Sequence, residues 1–275
     1  MVMLDCSRIA LRGVSVRYRV PHERIASFKE YAISRLRRRM VVEDFWALQE
    51  IDLSVQGGES LAIIGRNGAG KSTLLRVVAR VLKPTQGRVI TRGNVAPLLE
   101  VGAGFHPDLT GRENTYLNGT LLGHTRRDIQ AQFDQIVAFA ELEQFVDSPL
   151  RTYSSGMVAR LGFAVATAWE PDILLIDEII AVGDEAFQEK CLARIQQFRR
   201  ADVALLIVSH SPSFISRTCE RAILLENGRI AASGPLRDVV DSYHASSGTP
   251  TQAAGKPDTT PSSAASQIRT SPVER

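Results

Sequence analysis

The stretch GRNGAGKST at residues 65–73 follows the apolar run LAII at 61–64 and precedes a helix-like segment. This is the GxxxxGK[ST] spacing in the strand-then-helix context that the pattern requires. Glycines let backbone N–H groups turn inward around phosphate oxygens, and the following helix adds the positive end of its dipole. We therefore predict a phosphate-binding loop, made of Gly65, Arg66, Asn67, Gly68, Ala69, Gly70, Lys71, Ser72 and Thr73.

Side chains suited to phosphate and metal chemistry belong to this loop and to a later strand. We expect Lys71 to reach the β- and γ-phosphates of a nucleotide and the Ser72 hydroxyl to bind Mg²⁺. Four aliphatic residues at 173–176 predict a buried strand that ends in Asp177 and Glu178, at the sheet edge where open α/β folds bind ligands. We expect Asp177 to hold Mg²⁺ through water and Glu178 to polarise the attacking water. A surface acidic pair is the alternative.

Two further segments are suited to contact phosphates. The apolar run 203–208 ends in Ser209 and His210, and we expect His210 to hydrogen-bond the γ-phosphate, although a lone histidine also suits a structural role. A second helix-like stretch begins with serine and glycine, which form another phosphate-binding surface at a helix N-terminus. That surface consists of Ser154, Ser155, Gly156 and Met157. The chain thus has two such surfaces for one nucleotide.

Composition places the chain among globular proteins. Its 275 residues are 44% hydrophobic and 23% charged, which fits one α/β domain with an insertion or tail and excludes global disorder. Three widely spaced cysteines argue against a disulfide framework or a zinc site and favour a reducing cytoplasm. No stretch approaches the roughly 18 apolar residues of a membrane span, and the N-terminus lacks the layout of a signal peptide.

Strand-like runs alternate with helix-length segments, which predicts a largely parallel sheet covered by helices. After an N-terminal strand at 9–18, the expected strands are residues 60–64, 89–91, 173–176, 203–208 and 222–225. The expected helices are residues 72–82, 128–142, 156–169, 185–200 and 236–244.

Two segments differ from this pattern. Residues 24–39 have helical apolar spacing and carry six basic residues against one acid, which predicts a basic amphipathic helix. Such a helix suits an anionic membrane surface or glycolipid head group, with a solvated basic helix as the alternative.

Residues 246–275 hold four prolines and no aromatic residue, so we expect a disordered tail. A tether or a docking segment that orders on a partner is the alternative for the tail.

Together these motifs resemble those of an ATP-binding cassette (ABC) ATPase. In that family the two phosphate-binding surfaces come from different subunits of a head-to-tail dimer. The resemblance therefore implies a homodimer in which Ser154 and Gly156 contact the γ-phosphate of ATP held by the other subunit. It also implies that AVGD at 181–184 is the D-loop, which ends in Asp184.

The resemblance extends to a narrower group. FWAL at 45–48, LLEVGAGFHP at 98–107, LTGREN at 109–114, YSSGM at 153–157 and AVGDEAF at 181–187 are similar to the ATPase subunits that export O-antigen, capsule or teichoic-acid polysaccharides. The similarity covers about residues 5–245. It implies an α/β P-loop ABC fold, with a RecA-like core, an N-terminal antiparallel β subdomain and a helical subdomain at about 105–168. The nucleotide-binding domain would span 1–245, with an insertion at 24–40.

The same resemblance implies ATP and Mg²⁺, two copies of a transmembrane permease and a lipid-linked polysaccharide as the transported substrate. It places the chain on the inner face of the cytoplasmic membrane as a peripheral subunit. Coupling to the permease would pass through residues 105–152. No carbohydrate-binding domain is expected after residue 245, so substrate choice would lie with the permease or with the basic segment.

Departures from the general cassette affect two sites. Ser155 and Met157 stand where the commoner LSGGQ signature has Gly and Gln, and no glutamine occupies the Q-loop position. Glu100 is the nearest candidate for the Q-loop role, with a surface strand end as the alternative.

A nucleotide base stacks on an aromatic ring, and three aromatic residues precede the phosphate loop. They are Tyr18, Phe45 and Trp46. Tyr18 matches best by resemblance, with core packing as the alternative for each.

Two other functions are compatible with the sequence. One is a soluble ABC ATPase that acts on nucleic acid or the ribosome, with the basic segment at 24–39 as the phosphate contact. Such proteins usually carry two cassettes or a long coiled coil, which this chain lacks, so nucleic acid is the less favoured partner. The other is a regulatory clamp that binds ATP with little turnover.

Overall fold

The computed structural model describes residues 7–21, 42–99, 102–177, 184–209 and 211–247. The predictions for Glu100, Glu178, His210, residues 24–40, residues 181–183 of the D-loop and residues 248–275 of the tail lie outside these residues, whereas residues 246–247 of the predicted tail end the last helix. The strands are β1 (Ile9–Pro21), β2 (Val42–Val55), β3 (Ser60–Ile64), β4 (Gln86–Thr91), β5 (Val95–Leu98), β6 (Ile173–Asp177), β7 (Ala204–Val208), β8 (Arg221–Glu226) and β9 (Arg229–Pro235). The helices are α1 (Lys71–Val78), α2 (Gly111–Leu121), α3 (Arg126–Ala140), α4 (Ser155–Ala166), α5 (Glu185–Arg200), α6 (Pro212–Thr218) and α7 (Leu236–Ser247).

The larger sheet has six strands in the order β5-β6-β7-β3-β8-β9. All of its neighbouring strands are parallel except β8 and β9, which are antiparallel. The central strands β3, β6 and β7 are almost entirely buried because helices or the second sheet cover both faces, which explains their unbroken aliphatic runs. The predicted α/β fold with a mainly parallel sheet is confirmed.

The smaller sheet is antiparallel, with the strand order β2-β1-β4. Pairing between β1 and β2 continues out to Pro21 opposite Val42. The sequence pattern missed β2. Its alternation is broken because Glu50 has a left-handed backbone, with a φ of 51°, and the register against β1 shifts near Val14 and Val16.

Alternation along the central strands separates two hydrophobic cores. In β3, Leu61 and Ile63 face the core shared with α1 and the antiparallel sheet, whereas Ala62 faces the core beneath α5, α6 and α7.

Helix α1 ends earlier than predicted because Arg80 has a left-handed backbone, and its guanidinium donates to Thr91 Oγ1 at 2.6 Å. No helix in the described part of the chain is long and apolar enough to cross a membrane.

Three helices, α2, α3 and α4, lie within residues 105–168 and pack on one another. The sequence pattern missed α2 because its buried positions are small or polar and form no apolar stripe. Its N-terminus is instead marked by a capping box, in which Thr110 Oγ1 accepts from the Glu113 amide and the Glu113 carboxylate accepts from the Thr110 amide. The capping box accounts for the threonine and the glutamate of the LTGREN stretch at 109–114.

Asn114 of α2 is fully buried and holds the preceding loop in place. Its Oδ1 accepts from the His106 amide at 2.7 Å, and its Nδ2 donates to the carbonyls of His106, Leu109 and Thr110 at 2.9–3.1 Å. One side chain therefore satisfies four backbone groups of a segment that has no regular structure of its own.

Replacing Asn114 by Ala is expected to lower the free energy of unfolding by about 2–3 kcal/mol, because buried backbone groups lose their partners. Asn118→Ala is the matched control on the same helix. It removes one hydrogen bond, to the Ala103 carbonyl, and is expected to cost less than about 1 kcal/mol. Urea denaturation with an unchanged m-value measures both. Equal effects of the two substitutions would contradict this role for Asn114.

Candidate phosphate-binding site

The loop predicted to bind phosphate turns through glycines in left-handed conformations. Gly68 has a φ of 81° and Gly70 a φ of 107°, and Gly70 is the N-cap residue of α1. L-residues with side chains rarely adopt such angles, so the glycines of the motif are needed for the path of the chain. The loop then enters α1 at Lys71, so its backbone leads directly into a helix N-terminus.

Backbone atoms of two other segments seat this loop. A Cβ atom on Gly70 would lie 2.6 Å from the Ala47 carbonyl oxygen and 2.9 Å from Leu48 Cδ2, both on β2. A Cβ on Gly65 would collide with the Leu225 carbonyl of β8. The Gly228 amide donates to the Ala69 carbonyl at 3.1 Å. The loop therefore fits only because glycines allow β2 and the β8–β9 turn to approach it closely.

Lys71 is buried at the base of the loop, with 8% of its surface exposed. Its Nζ donates to the Gly65 carbonyl at 2.8 Å and to the Arg66 carbonyl at 3.1 Å. The ammonium group thus lies inside the loop, beside the carbonyls of its first two residues. Ser72, the next residue, is exposed at the start of α1.

Three strand ends lie side by side next to the loop. Asp177 at the end of β6 pairs with Val208 of β7, and Val208 pairs with Ile63 of β3. Ser209, which follows β7, lines a cavity of about 560 Å³ together with Gly65 and Lys71. The structure therefore brings the predicted metal-binding strand end and the strand that precedes His210 to the same sheet edge as the phosphate loop.

The second predicted phosphate surface is the N-terminus of α4. Ser154 is its N-cap residue, and Ser154 Oγ accepts from the Met157 amide at 3.2 Å. Ser154 and Ser155 are exposed, and among the described residues a Cβ built on Gly156 would meet only Ser154 Oγ, at 3.8 Å, apart from its chain neighbours and the backbone of its own helix. The main contacts of α4 are with α2, α3 and β5, whereas those of α1 are with β2, β4, β6 and β7. The two surfaces therefore belong to different layers of the chain.

Arg160 links α4 to the start of α5. Its NH2 donates to Asp184 Oδ2 at 2.8 Å, and Asp184 Oδ1 caps α5 by accepting from the Phe187 amide at 2.9 Å. Its NH1 donates to Glu141 Oε2 at 2.6 Å, and the guanidinium lies over the Phe187 ring, 4.8 Å from the centroid. A single side chain thus joins α4, whose N-cap is Ser154, to Asp184, the last residue of the predicted D-loop.

Glu141 completes this group of charges. It ends α3 in a left-handed conformation and accepts from Lys190 Nζ of α5 at 2.9 Å as well as from Arg160. The adjacent Lys190 ammonium, together with Arg160, holds the pKa of the Glu141 carboxyl below its usual range. We call Glu141, Arg160, Asp184 and Lys190 the ion-pair cluster.

The sequence analysis missed the ion-pair cluster. One signal was present, since Arg160 is the single charged residue within α4, a helix that is otherwise apolar or small. A charge at such a position is retained when a partner on another element compensates it. The partners lie far apart in the sequence, on α3 and at the start of α5, so only the packing of the helices identifies them.

The three candidate aromatic residues differ in their surroundings. Tyr18 is half-buried and packs against the core that includes Ala69 of the loop. Trp46 has the Arg17 guanidinium over its ring, 5.5 Å from the centroid. Phe45 is 54% exposed. Stacking of a base on Tyr18 stays a prediction.

Gly70→Ala is expected to abolish measurable ATP binding, because the added Cβ meets the Ala47 carbonyl in addition to the strained φ. Gly68→Ala is the matched comparison, since its Cβ would point into open space. Its backbone strain of about 1–2 kcal/mol should weaken binding roughly five- to thirtyfold. Calorimetric titration with ATP measures both, after circular dichroism confirms folding. ATP binding retained by the Gly70 variant would contradict the close packing of β2 against the loop.

Comparison with known proteins gives the family. A family model described as "ABC transporter" matches residues 48–181. The O-antigen export system ATP-binding protein RfbB of Klebsiella pneumoniae is 51% identical over 199 residues, which cover 72% of this chain and 81% of that protein. The teichoic acids export ATP-binding protein TagH of Enterococcus faecalis is 39% identical over 204 residues, which cover 74% of this chain and 45% of that protein.

A solved structure of an ATP-binding subunit of an ABC transporter superimposes with a TM-score of 0.69 over 86% of this chain and 93% of that chain, at 22% identity. This likeness shows that the fold is that of an ABC cassette. The predicted ABC resemblance is confirmed, and with it nucleotide binding and ATP hydrolysis. The chain therefore belongs to the family of ATP-hydrolysing subunits of ABC transporters that includes the O-antigen and teichoic acid export ATP-binding proteins.

Proposed function

We propose that this ATPase drives export of a lipid-linked polysaccharide of the O-antigen, capsule or teichoic-acid type. The observation that carries the proposal is the 51% identity to an O-antigen export ATP-binding protein over 81% of that protein's length. The polymer path would belong to a transmembrane permease, present in two copies, on whose cytoplasmic side two copies of this chain would sit. Residues 24–40 would face anionic head groups at the inner surface of the membrane.

The arrangement of the two phosphate-binding surfaces supports a dimer that closes on ATP. Residues 65–73 would bind the phosphates in one copy, with Lys71 beside the β- and γ-phosphates. The exposed N-terminus of α4, with Ser154 and Gly156, would meet the γ-phosphate from the second copy. Because α1 and α4 contact different layers of one chain, two copies placed head to tail would supply both surfaces to each ATP.

The hydrolytic groups would come from the sheet edge. Glu178 follows Asp177 at the end of β6, and in this proposal it orients the attacking water and accepts its proton. His210 follows Ser209 after β7 and would hydrogen-bond the γ-phosphate. Loss of the γ-phosphate would remove the bridge between the copies and reopen the dimer, and helices α2 to α4 would transmit that motion to the permease.

The residues fit a magnesium ion. Ser72 is exposed at the first turn of α1, and Asp177 ends β6, so a hydroxyl and a carboxylate are available as the oxygen ligands that Mg²⁺ prefers. Ser72 would bind it directly and Asp177 through water. When bound, Mg²⁺ would neutralise charge on the phosphate oxygens. The described ranges contain no group of three or more His, Cys, Asp or Glu side chains placed to hold a metal ion.

Glu178→Gln is expected to abolish ATP turnover while leaving ATP binding intact, because the amide cannot accept the proton of the attacking water. The variant should accumulate as a dimer in Mg·ATP, seen by size-exclusion chromatography with light scattering. Adding Ser154→Arg should restore the monomer by blocking the trans contact. A Glu178→Gln variant that stays monomeric would contradict the dimer proposal, and unchanged slow turnover would favour a regulatory clamp.

Export is tested in the organism that carries the gene. Deletion of the gene is expected to remove a polysaccharide from the cell surface and leave it inside the cell. The intact gene should restore export, and a Lys71→Ala copy should not. A normal cell surface, combined with salt-sensitive RNA or DNA binding that stimulates the ATPase, would instead favour the nucleic-acid alternative.

Arg160→Ala is expected to lower kcat about tenfold while changing the dissociation constant of ATP less than twofold. Hydrogen bonds to charged partners contribute about 1.5–3 kcal/mol, and here they hold Asp184 and α4 in register. Arg217→Ala is the control, because its pair with Glu189 is half-exposed and contributes little. Equal kcat values for the two variants would contradict a positioning role for Arg160.

A further inference from the structure

The loop that leads into α4, residues 145–153, is fastened to the N-terminus of α2. The Gly111 amide donates to the Ser148 carbonyl at 3.2 Å. The Arg112 amide donates to the Val146 carbonyl at 2.8 Å. Amides in the first turn of a helix have no partner within the helix itself. Two amides of α2 are therefore satisfied by the 145–153 loop, and the loop is held against the helix in return.

Tyr153 ends this loop and is anchored through both its backbone and its side chain. Its amide donates to the Leu150 carbonyl at 2.9 Å, and its hydroxyl donates to the Phe145 carbonyl at 2.7 Å. The half-buried ring packs against the core formed by α3 and α4. Burial, together with the nearby Asp147 carboxylate, raises the pKa of the Tyr153 phenol above its ordinary value. The hydroxyl therefore keeps the proton that it donates.

Gly111 leaves the space that this hydroxyl occupies. A Cβ built on Gly111 would collide with the Tyr153 hydroxyl oxygen and would lie 3.0 Å from the Val146 carbonyl oxygen. Gly111 begins α2 and is not among the glycines with a positive φ, so the site requires its lack of a side chain rather than its backbone freedom. The glycine of the LTGREN stretch and the tyrosine of the YSSGM stretch thus form one contact.

The exposed N-terminus of α4 depends on this anchor. Ser154 follows Tyr153 directly, and its Oγ accepts from the Met157 amide of its own helix. Ser154 and Ser155 are exposed, so core packing does not fix their position. That position is set by the residues on either side, Tyr153 before them and Arg160 after them. A surface that is already held in place loses less conformational entropy when it binds.

We propose that Tyr153, packed against Gly111, is a positioning residue that holds Ser154 in place for the γ-phosphate of ATP bound to a second copy. Tyr153 acts through Ser154 and not on the nucleotide itself. The inference rests on the proposed function, because it assumes that two copies close on ATP. The loop at 65–73 contacts other layers of the chain, so loss of the anchor should weaken closure of the dimer and leave ATP binding within one copy unchanged.

The test measures dimer closure and ATP binding in two backgrounds of the full chain. With Glu178→Gln, Tyr153→Phe is expected to raise the dissociation constant of the Mg·ATP dimer about tenfold, because both nucleotide sites lose the anchor. Analytical ultracentrifugation measures this constant. With Ser154→Arg, which blocks the trans contact and keeps the chain monomeric, Tyr153→Phe should change the dissociation constant of ATP by less than about twofold in calorimetric titration.

Thr152→Val is the matched control for the lost hydroxyl. Thr152 is exposed beside Tyr153, and its Oγ1 donates to the Pro149 carbonyl at 2.7 Å, so the substitution also removes one hydrogen bond within the loop. It leaves the contact with Gly111 intact. The Glu178→Gln chain that carries Thr152→Val should therefore dimerise like its parent.

Gly111→Ala tests the contact from the other side. Alone it should weaken the Mg·ATP dimer of the Glu178→Gln chain by more than about tenfold, because its Cβ displaces the Tyr153 hydroxyl. Adding Tyr153→Phe should strengthen the dimer again, since phenylalanine lacks the oxygen that collides. Recovery should be partial, because the Val146 carbonyl still lies close to the new Cβ. Two substitutions that only destabilised the fold would instead add their effects.

Three results would overturn the inference. The first is a Glu178→Gln chain that dimerises equally well with Tyr153 and with Phe at this position, which would leave the dimer proposal intact. The second is an equal loss of dimer affinity for Thr152→Val, or a double variant at Gly111 and Tyr153 that is weaker than Gly111→Ala alone, because either would indicate a general loosening of the loop. The third is a Glu178→Gln parent that stays monomeric in Mg·ATP, and only that result would also contradict the proposed dimer.

Discussion

The structure of the phosphate loop depends on close backbone contact with two other segments. The Ala47 carbonyl of β2 and the Leu225 carbonyl of β8 occupy the space that side chains on Gly70 and Gly65 would need. A Cβ on Gly228 would also lie 2.7 Å from the Ala47 carbonyl oxygen, and the Gly228 amide donates to the Ala69 carbonyl. The antiparallel sheet, the loop and the end of the main sheet therefore form one tightly packed unit, in which the path of the loop is set by its neighbours as well as by its own glycines.

The parallel sheet places three polar strand ends beside this loop. Because neighbouring parallel strands end at the same edge, β3, β6 and β7 bring Gly65, Asp177 and Ser209 together from three separate parts of the sequence. The buried aliphatic strands contribute little specificity by themselves. They hold polar groups at one edge of the sheet, next to the loop at 65–73 that leads into α1.

The helices at residues 105–168 use a different kind of connection. Arg160 joins α4 to the residue that caps α5, and Glu141 joins both to Lys190. These charged groups are partly exposed and directional, so they can exchange partners at a lower cost than a packed apolar core would require. Such a joint would suit the motion that the proposed function assigns to this layer.

The sequence by itself determined the glycine turn at 65–73, the buried strands and the end of β6 at Asp177, because each has a local signature of spacing or burial. The same local patterns could not identify α2, whose buried positions are small or polar, or β2, whose alternation is broken by Glu50. Only the tertiary structure decided the partners of Arg160 and the register of β2 against β1. Both depend on elements distant in the chain, and the physical reason is that charge pairing and strand register are properties of packing, which local periodicity does not encode.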